Sequence, residues 1–312
     1  MRADIVVVTW HGRDVLRSCL EHLERQTEHH RVIVVDNASH DGTAELMRER
    51  FPDLVFLELE QNRGFGAAVN AGAAVGDGEA IVLVNNDVDA DPGFVAALLA
   101  PLREDATVGM VAGLTLMPGR ERVDAFGIQL DAGLAAYNRL RNAPVERADE
   151  REEEIGTLAG PSGGAAAYRR SAFVAAGGFD ETLIAYGEDV DLLLRIRSAG
   201  WRAAAAADAR GIHLGGATIG VDSPQQRLLG GFARGFLLRR WGVLRSSAVL
   251  RALLIDTLVV GWGAVRHRSL DPLRSRYAGW RAAGRGSSRL PTNGIDRSVG
   301  TVEAVRRLRT MR

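Results

Sequence analysis

Residues 80–89 read Ala80-Ile81-Val82-Leu83-Val84-Asn85-Asn86-Asp87-Val88-Asp89, and this stretch decides the fold. Five consecutive apolar residues, rather than an apolar/polar alternation, describe a strand covered on both faces. The run then turns polar within one step, placing two amides and two carboxylates at the strand's carboxyl end. Residues 5–8, 32–35 and 54–59 have the same character, with helical patterns near 13–25, 43–50 and 65–75 between them. Strand–helix–strand alternation predicts an α/β fold with a doubly wound, mostly parallel, Rossmann-like sheet. Ligands of such sheets bind beyond the carboxyl ends of the strands.

The residues after each strand are therefore the place to look for chemistry. Strand one ends in Thr9-Trp10, and strand two in Asp36-Asn37-Ala38-Ser39. The third is followed by Asn62-Arg63-Gly64-Phe65-Gly66 and the fourth by the Asp87-Val88-Asp89 pair. Carboxylates two apart at a strand end suit Mg2+ or Mn2+, which bridge protein carboxylates to substrate phosphates. Asp-x-Asp alone is common in turns; its position after a buried strand is what gives it weight. A second acidic cluster, Glu188-Asp189-Val190-Asp191, opens a helix that stops near Gly200. Capping and the helix dipole account for one of its acids, and spacing does not choose which of the three serves as a base. A lone histidine such as His213, after a strand expected at 202–207, is more often structural than a ligand. It matters as a third metal ligand beside the two aspartates.

The formal charge of zero hides a strong asymmetry. Residues 1–224 hold 21 arginines against 35 acids, a balance of −14, whereas residues 225–312 hold 18 arginines against 4 acids, a balance of +14. Such a tail seeks an anionic surface or packs back on the acidic body. Residues 225–283 read as two or three helices mixing arginine with aromatic residues. Their longest uncharged run, 257–265, is far short of the ~20 residues that span a bilayer. An interfacial helix with Trp241, Trp262 and Trp280 near arginines is the expectation there. From 284 onward Gly, Ser, Pro and Arg predict a flexible tail. The single cysteine, Cys19, sits in a helical apolar pattern as a packing residue, and no disulfide framework exists. The N-terminus opens on a buried-strand pattern without a secretory leader.

Taken in order, these segments resemble glycosyltransferase family 2, the inverting enzymes of GT-A fold, in its rhamnosyltransferase-like branch. The matching stretches are Val6–Trp10, Val34–Thr43, Asn62–Asn70, Leu83–Asp87, Gly163–Ala166, Gly177–Glu181 and Tyr186–Leu192. Together they cover roughly residues 3–220 and leave out the tail. The resemblance implies a catalytic domain over 1–224; charge and composition give a basic helical extension over 225–283, expected to associate with membranes, and a flexible tail over 284–312. The resemblance further implies that Thr9, Asp36, Asn62 and Arg63 line the nucleotide pocket, and that Asp87 contacts both the nucleotide diphosphate and the metal. Asp89 and His213 would complete the metal shell. Gly163, Gly164 and Glu188 would meet the sugar or acceptor, and Asp189 would be the general base. Asn86 departs from the proline that many relatives place before the first aspartate. The donor expected is a UDP- or dTDP-sugar, with a lean toward rhamnose, and the acceptor a cell-envelope glycan or lipid-linked hydroxyl at the cytoplasmic face of the plasma membrane. Nucleic acid is not an expected partner. A nucleotidyltransferase or an NAD(P)-binding oxidoreductase on a similar sheet is the alternative. The latter is weakened because Val69 breaks the Gly-x-Gly-x-x-Gly pattern, which also follows the wrong strand.

Overall fold

The computed structural model describes residues 1–215, 223–284 and 289–307. The expected alternation is present over the first 84 residues: β1 (Ala3–Thr9), α1 (Arg13–Leu23), β2 (His30–Asp36), α2 (Thr43–Arg50), β3 (Val55–Glu58), α3 (Phe65–Val75) and β4 (Ala80–Val84). Strands β3, β2, β1 and β4 pair in parallel in that order. Alternate residues feed opposite layers. Val6, Ile33, Val35 and Leu83 pack with Ala68, Val69 and Ala73 of α3. Ile5, Val7, Val34 and Val82 pack with Leu16, Cys19, Leu20 and Leu23 of α1 and Leu46 and Met47 of α2. Helix α3 is made of small residues, and a Cβ on its Gly72 would meet Val6 Cγ1 at 2.7 Å and Val35 Cγ2 at 2.9 Å. Its closeness to the sheet is thus written in its composition.

The second half departs from a parallel order. After β5 (Val88–Ala90), α4 (Phe94–Glu104) and β6 (Val108–Leu116) come the short strands β7 (Val123–Ala125), β8 (Ile128–Asp131) and β9 (Ala136–Asn138). A helical turn α5 (Glu152–Ile155) lies in a charged stretch. Then follow β10 (Ala165–Arg169), α6 (Arg170–Ala175), α7 (Glu188–Ser198) and β11 (Arg202–His213). β10 inserts antiparallel between β4 and β6, β11 runs parallel to β6, and β5 closes the edge antiparallel to β11. Two reversals restore direction, so β6 and β11 run the same way as β4. The carboxyl ends of β1, β2, β4 and β11, and the start of β10, therefore lie along one edge of the sheet.

The extension consists of α8 (Pro224–Arg240), α9 (Val249–His267) and α10 (Asp271–Ala282), followed by β12 (Ile295–Asp296) and α11 (Thr301–Arg307). Helices α8 and α10 touch backbone to backbone. A Cβ on Gly235 would fall 1.9 Å from Arg276 O, and one on Gly279 would fall 1.9 Å from Phe232 O. Trp241 is buried and donates Nε1–H to Asp191 (3.1 Å), and Trp280 lies under the Arg239 guanidinium, so of the three tryptophans expected at an interface only Trp262 is open to solvent. The segment expected to be a flexible tail returns to the body where it is described. β12 pairs in parallel with β8, and Ile295, Val299 and Ala304 are buried. Its apolar residues find a sheet edge and the inner face of α9, which composition alone could not reveal. The parts of the expected segments at 216–222, 285–288 and 308–312 lie outside the described residues.

Because backbone fills the space a side chain would need, Gly235→Ala and Gly279→Ala are each expected to cost about 1–3 kcal/mol or more. Gly230→Ala in the same helix, with nothing within 4 Å of its added Cβ, should be neutral or slightly stabilising. Thermal denaturation of the three variants checks the contrast.

Candidate functional site

Thr9 is buried at the end of β1, where its Oγ1 accepts from Asn86 Nδ2 (2.9 Å). That bond is the local use of the asparagine standing where a proline was expected. Asp36, buried at the end of β2, accepts from Ser39 N–H at 3.1 Å. Burial raises its carboxyl above the ordinary range, Glu58 and Asp41 add to this, and the Ser39 hydrogen bonds oppose it. Beside these two strand ends lies an open cleft of about 270 Å³ lined by His11, Gly12, Arg13, Asp14, Val15 and Asp41.

The Asn62–Asn70 stretch is built into the site by a different logic from the one its glycines suggest. Asn37 links it to β2 by accepting from Arg63 N–H (2.8 Å) and donating to Asn62 Oδ1 and Gly64 O (both 3.1 Å). Gly64 has φ +86°, and a Cβ there would strike Ile184 O at 2.5 Å; a Cβ on Gly66 would meet Phe179 Cβ at 2.8 Å. These glycines let the 177–187 loop dock. The Arg63 guanidinium pairs with Glu181 (2.7 Å), and Asn70 binds the same loop through Phe179 and Glu181. Asn62 and Arg63 are thus held beside the end of β2 through Asn37, with the charged end of Arg63 already engaged.

Asp87 and His213 come together. The His213 ring sits between two carboxylates, with Nε2 3.3 Å from Asp87 Oδ1 and Nδ1 2.7 Å from Asp124 Oδ2. Leu214 N–H donates to Asp87 O (2.9 Å), fixing the end of β11 to the Asp87 turn. The hydrogen bond to Asp124, then that to Asp87, pushes the His213 imidazolium up to about 10. Asp89, expected beside Asp87 on the ion, is engaged elsewhere. Helix α1 packs on β5, and its Ser18 hydroxyl donates to Asp89 Oδ1 (2.8 Å), with His22 Nδ1 3.4 Å away. Among the described residues no three metal-ligating side chains converge. One carboxylate and one imidazole, aimed at a common point and sharing a proton, still form a fitting donor set for a divalent ion whose remaining ligands are diphosphate oxygens and water. Asp124 was not expected. It lies on β7, a three-residue strand whose sequence gives no sign of where its carboxylate points.

The acid cluster opening α7 divides by environment. Asp191 has no exposed surface and is taken up by Arg195 (2.7 Å), Arg240 (2.9 Å) and Trp241. Glu188 is buried, and its Oε2 has no hydrogen-bond partner. Asp189 keeps partial exposure and accepts from Val190 N–H at 2.7 Å. Burial, then the Asp189 charge, raises Glu188; burial raises Asp189 against N–H donors that include Gly163. Gly163 and Gly164 lie between the two acidic corners. A Cβ on Gly163 would press on Phe65 at 3.0 Å and one on Gly164 on Asn85 at 3.1 Å, while Asn85 N–H donates to Gly164 O (3.1 Å).

A carboxyl raised by burial costs stability increasingly as pH climbs from its ordinary range toward its raised one. Glu188→Gln should therefore increase the thermal midpoint by a few degrees at mildly alkaline pH and change it little in acid. Calorimetry of the pair across pH reads this directly.

The sequence model of "Glycosyl transferase family 2" matches residues 4–175. An "N-acetylglucosaminyl-diphospho-decaprenol L-rhamnosyltransferase" of Mycobacterium tuberculosis is 31% identical over 247 residues, which cover 70% of this chain and 78% of that protein. The "O-antigen biosynthesis protein RfbC" of Myxococcus xanthus is 28% identical over 226 residues, 70% of this chain but 18% of that protein. Among solved structures, GalNAc-T7 with UDP, GalNAc and Mn2+ aligns with TM-score 0.59 at 16% identity, over 77% of this chain and 48% of that one. The mannosyltransferase PcManGT of Pyrobaculum calidifontis, with GDP-Man and Mn2+, aligns with TM-score 0.53 at 20% identity, over 99% and 79%. The fold is that of GT-A glycosyltransferases, and the chain belongs to glycosyl transferase family 2 as a rhamnosyltransferase-like enzyme.

Proposed function

We propose that this glycosyltransferase moves a sugar, rhamnose by the lean of its relatives, from a UDP- or dTDP-sugar to a hydroxyl of a lipid-linked or cell-envelope glycan acceptor, with inversion. The observation that carries the reading is one edge of the sheet holding two acidic corners, Asp87–His213 and Asp189, on either side of the open Gly163-Gly164 backbone. The nucleoside would rest over Thr9 and Asp36, with the Asn62–Arg63 turn beside it. Asp189 accepts the proton of the acceptor hydroxyl while that oxygen attacks the anomeric carbon. The bond from that carbon to the diphosphate oxygen breaks on the opposite face, and the nucleoside diphosphate leaves with the electron pair. A divalent ion, Mg2+ or Mn2+, held by Asp87 and His213 Nε2 would supply Lewis-acid stabilisation to the departing diphosphate. Burial raises the proton affinity of Asp189, and the Asp189 charge adds to the rise at its neighbour Glu188. Everything else is positioning.

The name of the mycobacterial relative, a transferase acting on a decaprenyl diphosphate sugar, supports a lipid-linked acceptor here. Two structural neighbours solved with Mn2+ and a nucleotide or nucleotide sugar support the cofactor class. No described helix is long and apolar enough to cross a membrane. The lipid-linked acceptor is what places the enzyme, in this reading, peripherally at the anionic cytoplasmic face.

Asp189→Asn should lower kcat by about 10²–10⁴-fold with nucleotide Kd unchanged. Wild-type transfer by that variant removes the base assignment. Because the Asp189 carboxyl is raised by burial and must be ionised to act, the acid limb of the wild-type rate profile should lie above the ordinary carboxylate range of about 4.

Titration calorimetry with Mn2+ and nucleoside diphosphate tests the ion. His213→Ala and Asp124→Asn should each weaken Mn2+ binding about 10–100-fold, since a carboxylate behind a ligating histidine fixes its tautomer and orientation. The imidazolium is held up to about 10, so binding must release a proton, and affinity should rise with pH through the neutral range.

A further inference from the structure

Helix α9 carries its apolar stripe on the outside. Leu250, Leu253, Leu254, Leu258, Trp262 and Val265 follow helical spacing along one face, and all are exposed, Leu250 and Val265 to 79% and 77%. A stripe with this period ordinarily faces a core. Here the opposite face does the packing: Ala252 and Ile255 are buried, and Asp256 turns inward to Arg234 and Arg276 (2.9 and 3.1 Å). Past the α9–α10 turn the exposed surface continues through Leu273 and Tyr277, one turn apart on α10. An apolar patch of this extent on an otherwise well-packed chain marks an interaction surface.

The charges around it identify the partner. Several of the tail's arginines are spent inside the fold. Arg234 and Arg276 go to Asp256, Arg240 to Asp180 and Asp191, Arg239 to Trp280, and Arg251 lies 3.8 Å from Asp131. Exposed arginines beside the stripe include Arg268 at the α9 C-terminus and Arg274 and Arg281 on α10. Asp271 lies 3.9 Å from Arg274 at that border. Apolar residues along a helix ~22 Å long from 250 to 265, flanked by cations, match the boundary between anionic headgroups and acyl chains.

We infer that the outer face of α9, extended by α10, is a bilayer-docking surface that lies in the plane of the membrane. Its leucines, Trp262 and Val265 enter the headgroup boundary, and Arg268, Arg274 and Arg281 meet lipid phosphates. This rests on the lipid-linked acceptor proposed above and specifies the contact: apolar insertion by one helix face, rather than the net charge of the whole C-terminal segment.

The test is flotation of the full-length protein with vesicles of phosphatidylcholine alone or mixed equally with phosphatidylglycerol. Leu254→Glu combined with Leu258→Glu, and separately Val265→Glu, should reduce partitioning into mixed vesicles at least tenfold while the circular dichroism spectrum and thermal midpoint stay unchanged. Arg274→Glu with Arg281→Glu should reduce binding to mixed vesicles about tenfold and leave the weaker binding to phosphatidylcholine unaffected. Wild-type flotation by both apolar variants overturns the inference. So does a wild-type dimer in light scattering that the apolar substitutions dissociate without changing flotation, because the face would then belong to a second copy. Donor hydrolysis measured with UDP- and dTDP-sugars separates the two claims. Turnover retained in variants that no longer float supports docking, whereas a wild type that floats but turns over no nucleotide sugar sinks the transferase reading alone.

Discussion

A carboxylate with no exposed surface ties the site to the rest of the molecule. Asp191, one turn into α7, is met by Arg195 from its own helix, Arg240 from α8 and the indole N–H of Trp241. A buried charge is tolerated only when paired and hydrogen-bonded, and removing a partner is costly. The pairing fixes more than a helix end. Arg240 also binds Asp180 (2.9 Å), and Arg195 donates to Gly178 O (2.6 Å), so the 177–187 loop, α7 and α8 share one polar network. The chain enters α7 through Tyr186 and Gly187, both left-handed, at φ +66° and +80°. That entry needs a helix that cannot shift, and Asp191 holds it. Glu188 and Asp189 take their positions from this anchoring.

The two acidic corners use opposite physics. At Glu188–Asp189 burial and a like charge raise proton affinity, leaving an unpaired carboxylate oxygen inside the protein. At Asp87–His213–Asp124 opposite charges neutralise one another, and the histidine carries the shared proton. The first arrangement suits a group that must collect a proton. The second holds a pair of ligands in register by a proton that a divalent ion can replace. Asp191, three residues from Glu188, does neither, which is why spacing within the cluster could not distinguish the three acids.

How much of this was legible depended on whether a residue's partner lay near it in sequence. The four parallel strands and their helices could be read because a doubly covered strand must be continuously apolar, whatever surrounds it. Helix α4 was less evident, since Pro101 sits in its last turn and a Gly precedes it. β10 shows no sequence mark of running antiparallel, because Ala165-Ala166-Ala167 would serve either direction. The site divided in the same way. Asp87 and His213 lie together, but Asp89 is captured by Ser18, 71 residues away in the chain, and Asp124 reaches His213 across 89 residues. No local pattern encodes such distances. Gly64 and Gly66, which begin the broken Gly-x-Gly-x-x-Gly pattern, are explained by the loop that must dock on them.

The charge asymmetry of the sequence takes on a different meaning in the fold. Part of the tail's charge is answered without an external partner: Arg234 and Arg276 pair with the tail's own Asp256, while Arg240 and Arg251 reach Asp180, Asp191 and Asp131 of the body. Net charge counted along the chain therefore overstates what a membrane would meet. Paired arginines contribute little field at the surface, and exposed ones act only within about a Debye length of 8 Å in physiological salt. An attachment built on them alone would weaken steeply as salt rises. A row of exposed leucines has no such dependence, because the free energy of removing apolar surface from water is insensitive to screening. Had the C-terminal segment evolved only to neutralise the body, the outward face of α9 would be expected to carry polar residues, as its inward face carries Asp256. It carries leucine, tryptophan and valine instead, and that inversion, more than the arginine count, separates the two accounts of the extension.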